Sequence, residues 1–160
     1  MKLSRDFLIL LAAGGSAGLL AAAFLFQALG WSPCALCLWQ RWPHAVAVAV
    51  GLTALVVGWR SAPILILGAL AALATAGIAA YHTGVKRDWW EGPASCTGGG
   101  ASLGGIEGSS LLPGAVTEVS IPMCDTLEPF LFGLTMANWN LLASVGLALV
   151  WLYGLTRPVA

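Results

Sequence analysis

Four apolar runs mark out the chain, separated by two short polar breaks and one long glycine-rich stretch. Phe7 to Leu29 holds 23 residues without a charge, more than the roughly 20 that cross a bilayer core, and predicts a membrane span over 7–29. Ala21-Ala22-Ala23 offers a cleavage-site alternative, but a signal-peptide apolar core is about 7–15 residues and this run is longer. Gly14 and Gly18, four apart, read as a site where helix backbones approach closely. The second run, His44 to Trp59, has 16 residues, about 24 Å of helix against a hydrocarbon core of roughly 30 Å. Its helix is therefore expected to begin earlier, near Leu36 to Trp39, giving a span over 38–59 with Cys37 in or just before the first turn. Pro43 keeps a second start open, with both neighbouring cysteines in the loop. After Gly58 to Pro63, a third span is expected over 64–83, opened by Pro63 and carrying a packing seam of Gly68, Ala72, Ala76 and Ala80. Residues 84–135 turn polar and glycine-rich, and a fourth span closes the chain over 136–155.

This pattern predicts an all-α membrane protein, a four-transmembrane-helix bundle forming one integral membrane domain over 1–160. Loops over 30–37 and 84–135 then share one face, and both termini lie on the other. Composition agrees: 59% of residues are hydrophobic and 9% charged, against about 25% charged in a soluble domain. Seven basic and seven acidic residues cancel, so nothing points to nucleic acid. The positive-inside bias is weak, with Lys2, Arg5, Arg60 and Arg157 on one face against Arg41, Lys86 and Arg87 on the other. Trp31, Trp39, Trp42, Trp89, Trp90 and Trp139 are expected to form an interfacial belt on the loop face.

Candidate chemistry concentrates on that face. Cys34-Ala35-Leu36-Cys37 is a Cys-x-x-Cys pair, and two thiols at this spacing close a small disulfide that is more easily reduced than a relaxed one. Arg41 follows Cys37 by four residues, so in a helix its cation shares the sulfur's face and favours the thiolate. Cys96 and Cys124 lie in the long loop. In an oxidising compartment four cysteines imply two disulfides, and keeping them paired orients this face outward. The loop bond alone has a structural explanation, since closing about 28 residues contributes roughly 3–4 kcal/mol. The Cys34–Cys37 loop is too short to brace anything, which favours thiol–disulfide exchange. Zinc is disfavoured because the second pair is not a Cys-x-x-Cys knuckle, and no metal site is expected. Haem between His44 and His82 is a further alternative, without a Cys-x-x-Cys-His attachment signature.

The chain resembles the bacterial DsbB family of quinone-dependent disulfide bond formation proteins. The resemblance rests on Cys34-Ala35-Leu36-Cys37-Leu38-Trp39-Gln40-Arg41 after the first span and Tyr81-His82-Thr83 ending the third. Single cysteines at 96 and 124, and Phe132-Gly133-Leu134-Thr135-Met136 before Trp139, complete it. It implies a bacterial inner-membrane enzyme with cytoplasmic termini and both cysteine pairs periplasmic. Such an enzyme reoxidises a soluble DsbA-like dithiol oxidase and passes the electrons to ubiquinone or menaquinone, sustaining disulfide formation. By the same resemblance Cys96 forms the mixed disulfide with the partner, Cys124 passes electrons to Cys34, and Cys37 faces the quinone. Arg41 matches the family's quinone-side arginine and His82 a histidine associated with that site. The potentials are consistent: DsbA lies near −120 mV, too oxidising for a glutathione pool at roughly −200 mV to reoxidise.

The loop departs from better-known members. Where they can carry a membrane-lying amphipathic helix, Ser109 to Ser120 offers Leu111, Leu112, Val116 and Val119 interrupted by Pro113 and Gly114. Two other classes compete. A vitamin K epoxide reductase-like oxidoreductase has its second cysteine pair before the Cys-x-x-Cys, and here it follows. A non-enzymatic tetraspan scaffold would hold structural disulfides that resist mild reductant.

Overall fold

In the computed structural model, which describes residues 4–93, 124 and 130–158, four helices form: α1 (Arg5–Ala28), α2 (Ala35–Val56), α3 (Ala62–Lys86) and α4 (Met136–Leu155). Three begin where a side chain takes up a free N–H of the first turn. Ser4 accepts from Phe7, Cys34 from Cys37 and Thr135 from Asn138. α3 opens with Pro63 in its first turn, where the missing N–H costs nothing. α1 stops at Gly30, whose φ of 96° lets Trp31 N–H reach back to Phe26 O. α3 stops the same way at Asp88, φ 56°, with Trp89 N–H on Gly84 O. Ahead of α4, Phe132 and Gly133 form a two-residue turn with positive φ, closed by a bridge between Leu131 and Leu134.

The helices pack in a ring, α1 on α2, α2 on α3, α3 on α4 and α4 on α1, with little contact between α1 and α3. One half of the interior is apolar, built by Ile9, Ala12, Ala13, Val50, Ala54, Leu65, Ala69, Ala72, Ala148 and Trp151. Trp151 is 1% exposed and fits only because Gly68 faces it: a Cβ there would lie 2.6 Å from the indole. The small-residue seam of α3 is therefore real at Gly68, Ala72 and Ala76, whereas Ala80 is half-buried. The expectation for Gly14 and Gly18 fails. Both are exposed with open space where a Cβ would stand, and the close approach falls to Gly15 against Leu147. A spacing of four names a stripe on a helix but not which stripe faces its neighbours.

At the end holding the start of α1, Arg5 donates to the carbonyl oxygens of Gly154, Leu155 and Arg157 at the end of α4 and of Arg60 between α2 and α3. Asp6 pairs with Arg60 at 2.5 Å. The opposite end carries Cys34, His82 and Cys124. α1, α3 and α4 are each long and apolar enough to cross a membrane. Their outer faces expose leucines and isoleucines, among them Leu10, Leu25, Ile66, Leu70, Leu142 and Leu149, as lipid contact requires. α2 stays below that hydropathy because Gln40, Arg41, Pro43 and His44 occupy its first half. Gln40 and His44 are buried, facing its helical neighbours.

Candidate redox site

α2 begins at Ala35 and Pro43 stands inside it, which decides between the two starts that the sequence leaves open. Cys34 is thus the N-cap and Cys37 lies in the first turn. Their sulfurs are 2.8 Å apart, both are free thiols, and Cys34 Sγ also accepts from Cys37 N–H at 3.4 Å. From α3, His82 brings Nε2 to 3.7 Å from Cys34 Sγ. A backbone group of Cys124 also hydrogen-bonds to His82. Cys124 is fully buried and disulfide-bonded, and it packs in one cluster with Cys34, Leu36 and Val85, against which Cys37 also lies. Cys96 and the 97–123 segment lie outside the described residues.

The two thiols are not equivalent. Its hydrogen bond to Cys37 Sγ, together with burial, pushes the Cys34 thiol far above the ordinary range. That same bond lowers Cys37 to about 7 against the opposing effect of burial, with further help from the charges of Lys86 and then Arg41. Proton and charge therefore separate, thiol at Cys34 and thiolate at Cys37. Arg41 sits on Cys37's side of the helix, as its spacing predicts, yet it is the smallest of these influences. Its guanidinium is spent on α1, 2.7 Å from Gln27 Oε1, 3.4 Å from Ala23 O and 4.8 Å above the Phe24 ring. Lys86 was missed as a site residue because α3 was expected to end at 83. Its extension by one turn puts Lys86 four residues beyond His82.

Behind the thiols runs a polar network that the motif search did not single out. Gln40 Nε2 lies 3.0 Å from His82 Nδ1, Asn140 Nδ2 lies 2.5 Å from Gln40 Oε1, and His44 Nε2 lies 2.9 Å from Asn140 Oδ1. The available signal was a pair of polar residues four apart in each of two apolar helices, Gln40 and His44 in α2 and Asn140 and Ser144 in α4. Both histidines are thereby engaged with side chains. Cys34, Cys37 and His82 also place three potential metal-ligand atoms within 4.8 Å of one another, a soft donor set that closing the Cys34–Cys37 disulfide would dismantle. Tyr81 and Trp90 finish this end of the bundle, stacked at 3° with Trp90 Nε1 donating to Tyr81 O. Trp31, Trp39, Trp42 and Trp89 are exposed around it, where an interfacial belt belongs.

The family described as "Disulfide bond formation protein DsbB" matches residues 5–154. An uncharacterized protein, RP370, of Rickettsia prowazekii (strain Madrid E) is 26% identical over 126 residues, covering 78% of this chain and 70% of that protein. No solved structure matches. A match over nearly the whole chain, on a helical bundle that gathers thiols at one end, makes this protein a member of the DsbB family of membrane disulfide bond formation proteins.

Proposed function

We propose that the protein is a thiol:quinone oxidoreductase of the bacterial inner membrane that reoxidises a periplasmic DsbA-like dithiol. The observation that carries this is one buried cluster holding disulfide-bonded Cys124 together with Cys34, with Cys37 against it and His82 in contact. A donor thiolate attacks Cys96, breaks its bond to Cys124 and releases Cys124 as a thiolate. Cys124 then attacks Cys34 in the Cys34–Cys37 disulfide, and Cys37 leaves with the electron pair. A thiol near pKa 7 is a good leaving group, and here that is Cys37. The donor's second thiol displaces Cys96 and leaves as an oxidised disulfide. Cys96 resolves the Cys34–Cys124 bond, and Cys34 takes up a proton. Two electrons and two protons now rest on the inner pair or near it.

Quinone, ubiquinone or menaquinone, supplies a two-electron, two-proton acceptor when bound. The residues beside Cys37 suit such a group. Arg41 Nε is buried with no hydrogen-bond partner among the described residues, and the exposed ring of Phe24 on α1 lies under its guanidinium. Arg41 would orient a carbonyl oxygen and balance developing negative charge, and Cys37 would give up its electrons as the Cys34–Cys37 bond re-forms. In this scheme α2 is the fourth span with Gln40 and His44 turned inward, the termini are cytoplasmic, and the cysteine end is periplasmic. Disulfide mapping tests the order of transfer. With excess reduced donor and no quinone both bonds should open, and adding quinone should close both. Bonds that stay closed under the donor would reject the relay.

A further inference from the structure

Cys34, Cys37 and His82 meet at one point of the bundle from two helices. Cys34 caps α2 and takes Cys37 N–H on its sulfur at 3.4 Å, the two sulfurs are 2.8 Å apart, and His82 Nε2 stands 3.7 Å from Cys34 Sγ. All three ligand atoms fall within 4.8 Å of one another. A Cys-x-x-Cys turn with a backbone N–H on its first sulfur is how a zinc knuckle presents two thiolates. Cysteine spacing alone does not show the histidine that α3 adds. Tetrahedral zinc, with Zn–S about 2.3 Å and Zn–N about 2.0 Å, sets sulfur and nitrogen about 3.6 Å apart and two sulfurs about 3.8 Å apart. His82 Nε2 already stands at that distance from Cys34. Rotation of the half-buried Cys37 side chain opens the sulfurs by the remaining distance of about 1 Å.

Charge and ligand type select the ion. Cys34 and His82 are buried, and two thiolates with one divalent cation sum to zero, a neutral site where a bare thiolate pair is costly. Two sulfurs and an imidazole suit Zn²⁺ or Cd²⁺ and not Mg²⁺ or Ca²⁺. His82 donates to the Cys124 carbonyl, so ligation costs that hydrogen bond. The displaced proton passes to Nδ1, where Gln40, 3.0 Å away, accepts it once its amide turns. We propose that Cys34 Sγ, Cys37 Sγ and His82 Nε2 bind a divalent zinc-type cation in the dithiol state only, and that occupancy holds the pair reduced. Both sulfurs bind as thiolates with release of their protons, and no electron moves. The Cys34–Cys37 disulfide removes both sulfur ligands, so site and bond exclude one another. Resting on the relay above, the consequence is inhibition, because the pair cannot be reoxidised until the cation leaves.

Cadmium titration of the detergent-purified protein, followed by sulfur-to-metal charge-transfer absorption, needs neither quinone nor thiol donor, so this inference and the relay fail separately. Protein reduced with a phosphine should bind Cd²⁺ at this site and yield it to Zn²⁺, and protein with both disulfides closed should bind none. Cys96→Ser combined with Cys124→Ser should keep the site, Cys37→Ser should lose it, and His82→Ala should weaken it at least tenfold. With Zn²⁺ a hundredfold above its Kd, the inner pair should shift about a hundredfold toward dithiol, raising its apparent potential by about 60 mV. Cadmium NMR of the reduced double variant, or of reduced wild type if that variant does not fold, should show a site with two sulfur ligands and one nitrogen. No binding by reduced wild type, equal binding by the oxidised protein, or a site without nitrogen would overturn the proposal. So would loss of binding in the folded double variant or unchanged affinity in folded His82→Ala.

Discussion

Arg41 in α2 reaches back to Gln27 in α1, its Nη1 2.7 Å from the amide oxygen, and so ties α1 to the helix whose first turn carries the Cys-x-x-Cys pair. The same side chain is the candidate quinone-side cation, and the two roles separate by substitution. Arg41→Ala should raise the KM for quinone or lower turnover at least tenfold, while removal of the tie should cost about 1 kcal/mol of stability. Gln27→Ala should reproduce the small stability loss with near-normal kinetics. Unchanged quinone kinetics in Arg41→Ala would sink the role of Arg41.

The inequality of the thiols predicts a pH dependence. Cys37, lowered to about 7, gains its thiolate as pH rises through about 7, so its alkylation in the reduced protein should climb about tenfold per unit below that and level off above. Cys34, pushed upward, should stay protonated and unmodified across the neutral range. Mass spectrometry after brief iodoacetamide treatment assigns the sites. A midpoint near 9, or faster labelling at Cys34, would contradict the asymmetry.

Helix existence was legible in the apolar runs because lipid-facing and core-facing positions are both hydrophobic along α1, α3 and α4. What hydropathy cannot show is which stripe of a uniformly apolar helix turns inward. Gly14 and Gly18 matched a packing spacing and face outward, whereas Gly68 matched it and faces Trp151. The site was legible in the spacing of Cys34 and Cys37, which needs only local geometry. Asn140 was not, because it meets Gln40 across 100 positions and neither residue belongs to a motif.

Packing around Trp151 makes a paired prediction. Gly68→Ala gains about 1 kcal/mol of helix propensity but drives a Cβ to 2.6 Å from a rigid indole, so overpacking at about 1–3 kcal/mol should win. Gly14→Ala, with open space around it, should be neutral or stabilising. Thermal unfolding in detergent compares them, and equal stability of the two variants would refute the packing assignment.

Arg5 donates to carbonyl oxygens from the end of α4 and from the α2–α3 connection, so it closes the end opposite the thiols. Arg5→Ala should lower stability by at least about 2 kcal/mol, and Arg5→Lys should recover only part, since an ammonium cannot fork to several acceptors. Disulfide exchange at the far end should be unaffected in protein that remains folded. Full recovery by lysine would show that charge alone matters there.

Quinone reduction by the detergent-purified protein, supplied with a reduced DsbA-like dithiol, in wild type and in Cys37→Ser, tests the relay most directly. Turnover in wild type that vanishes in the variant is the predicted result and puts Cys37 in the electron path. Turnover that survives in Cys37→Ser would contradict that path. Absence of turnover in wild type with every quinone and donor tried would contradict the relay itself.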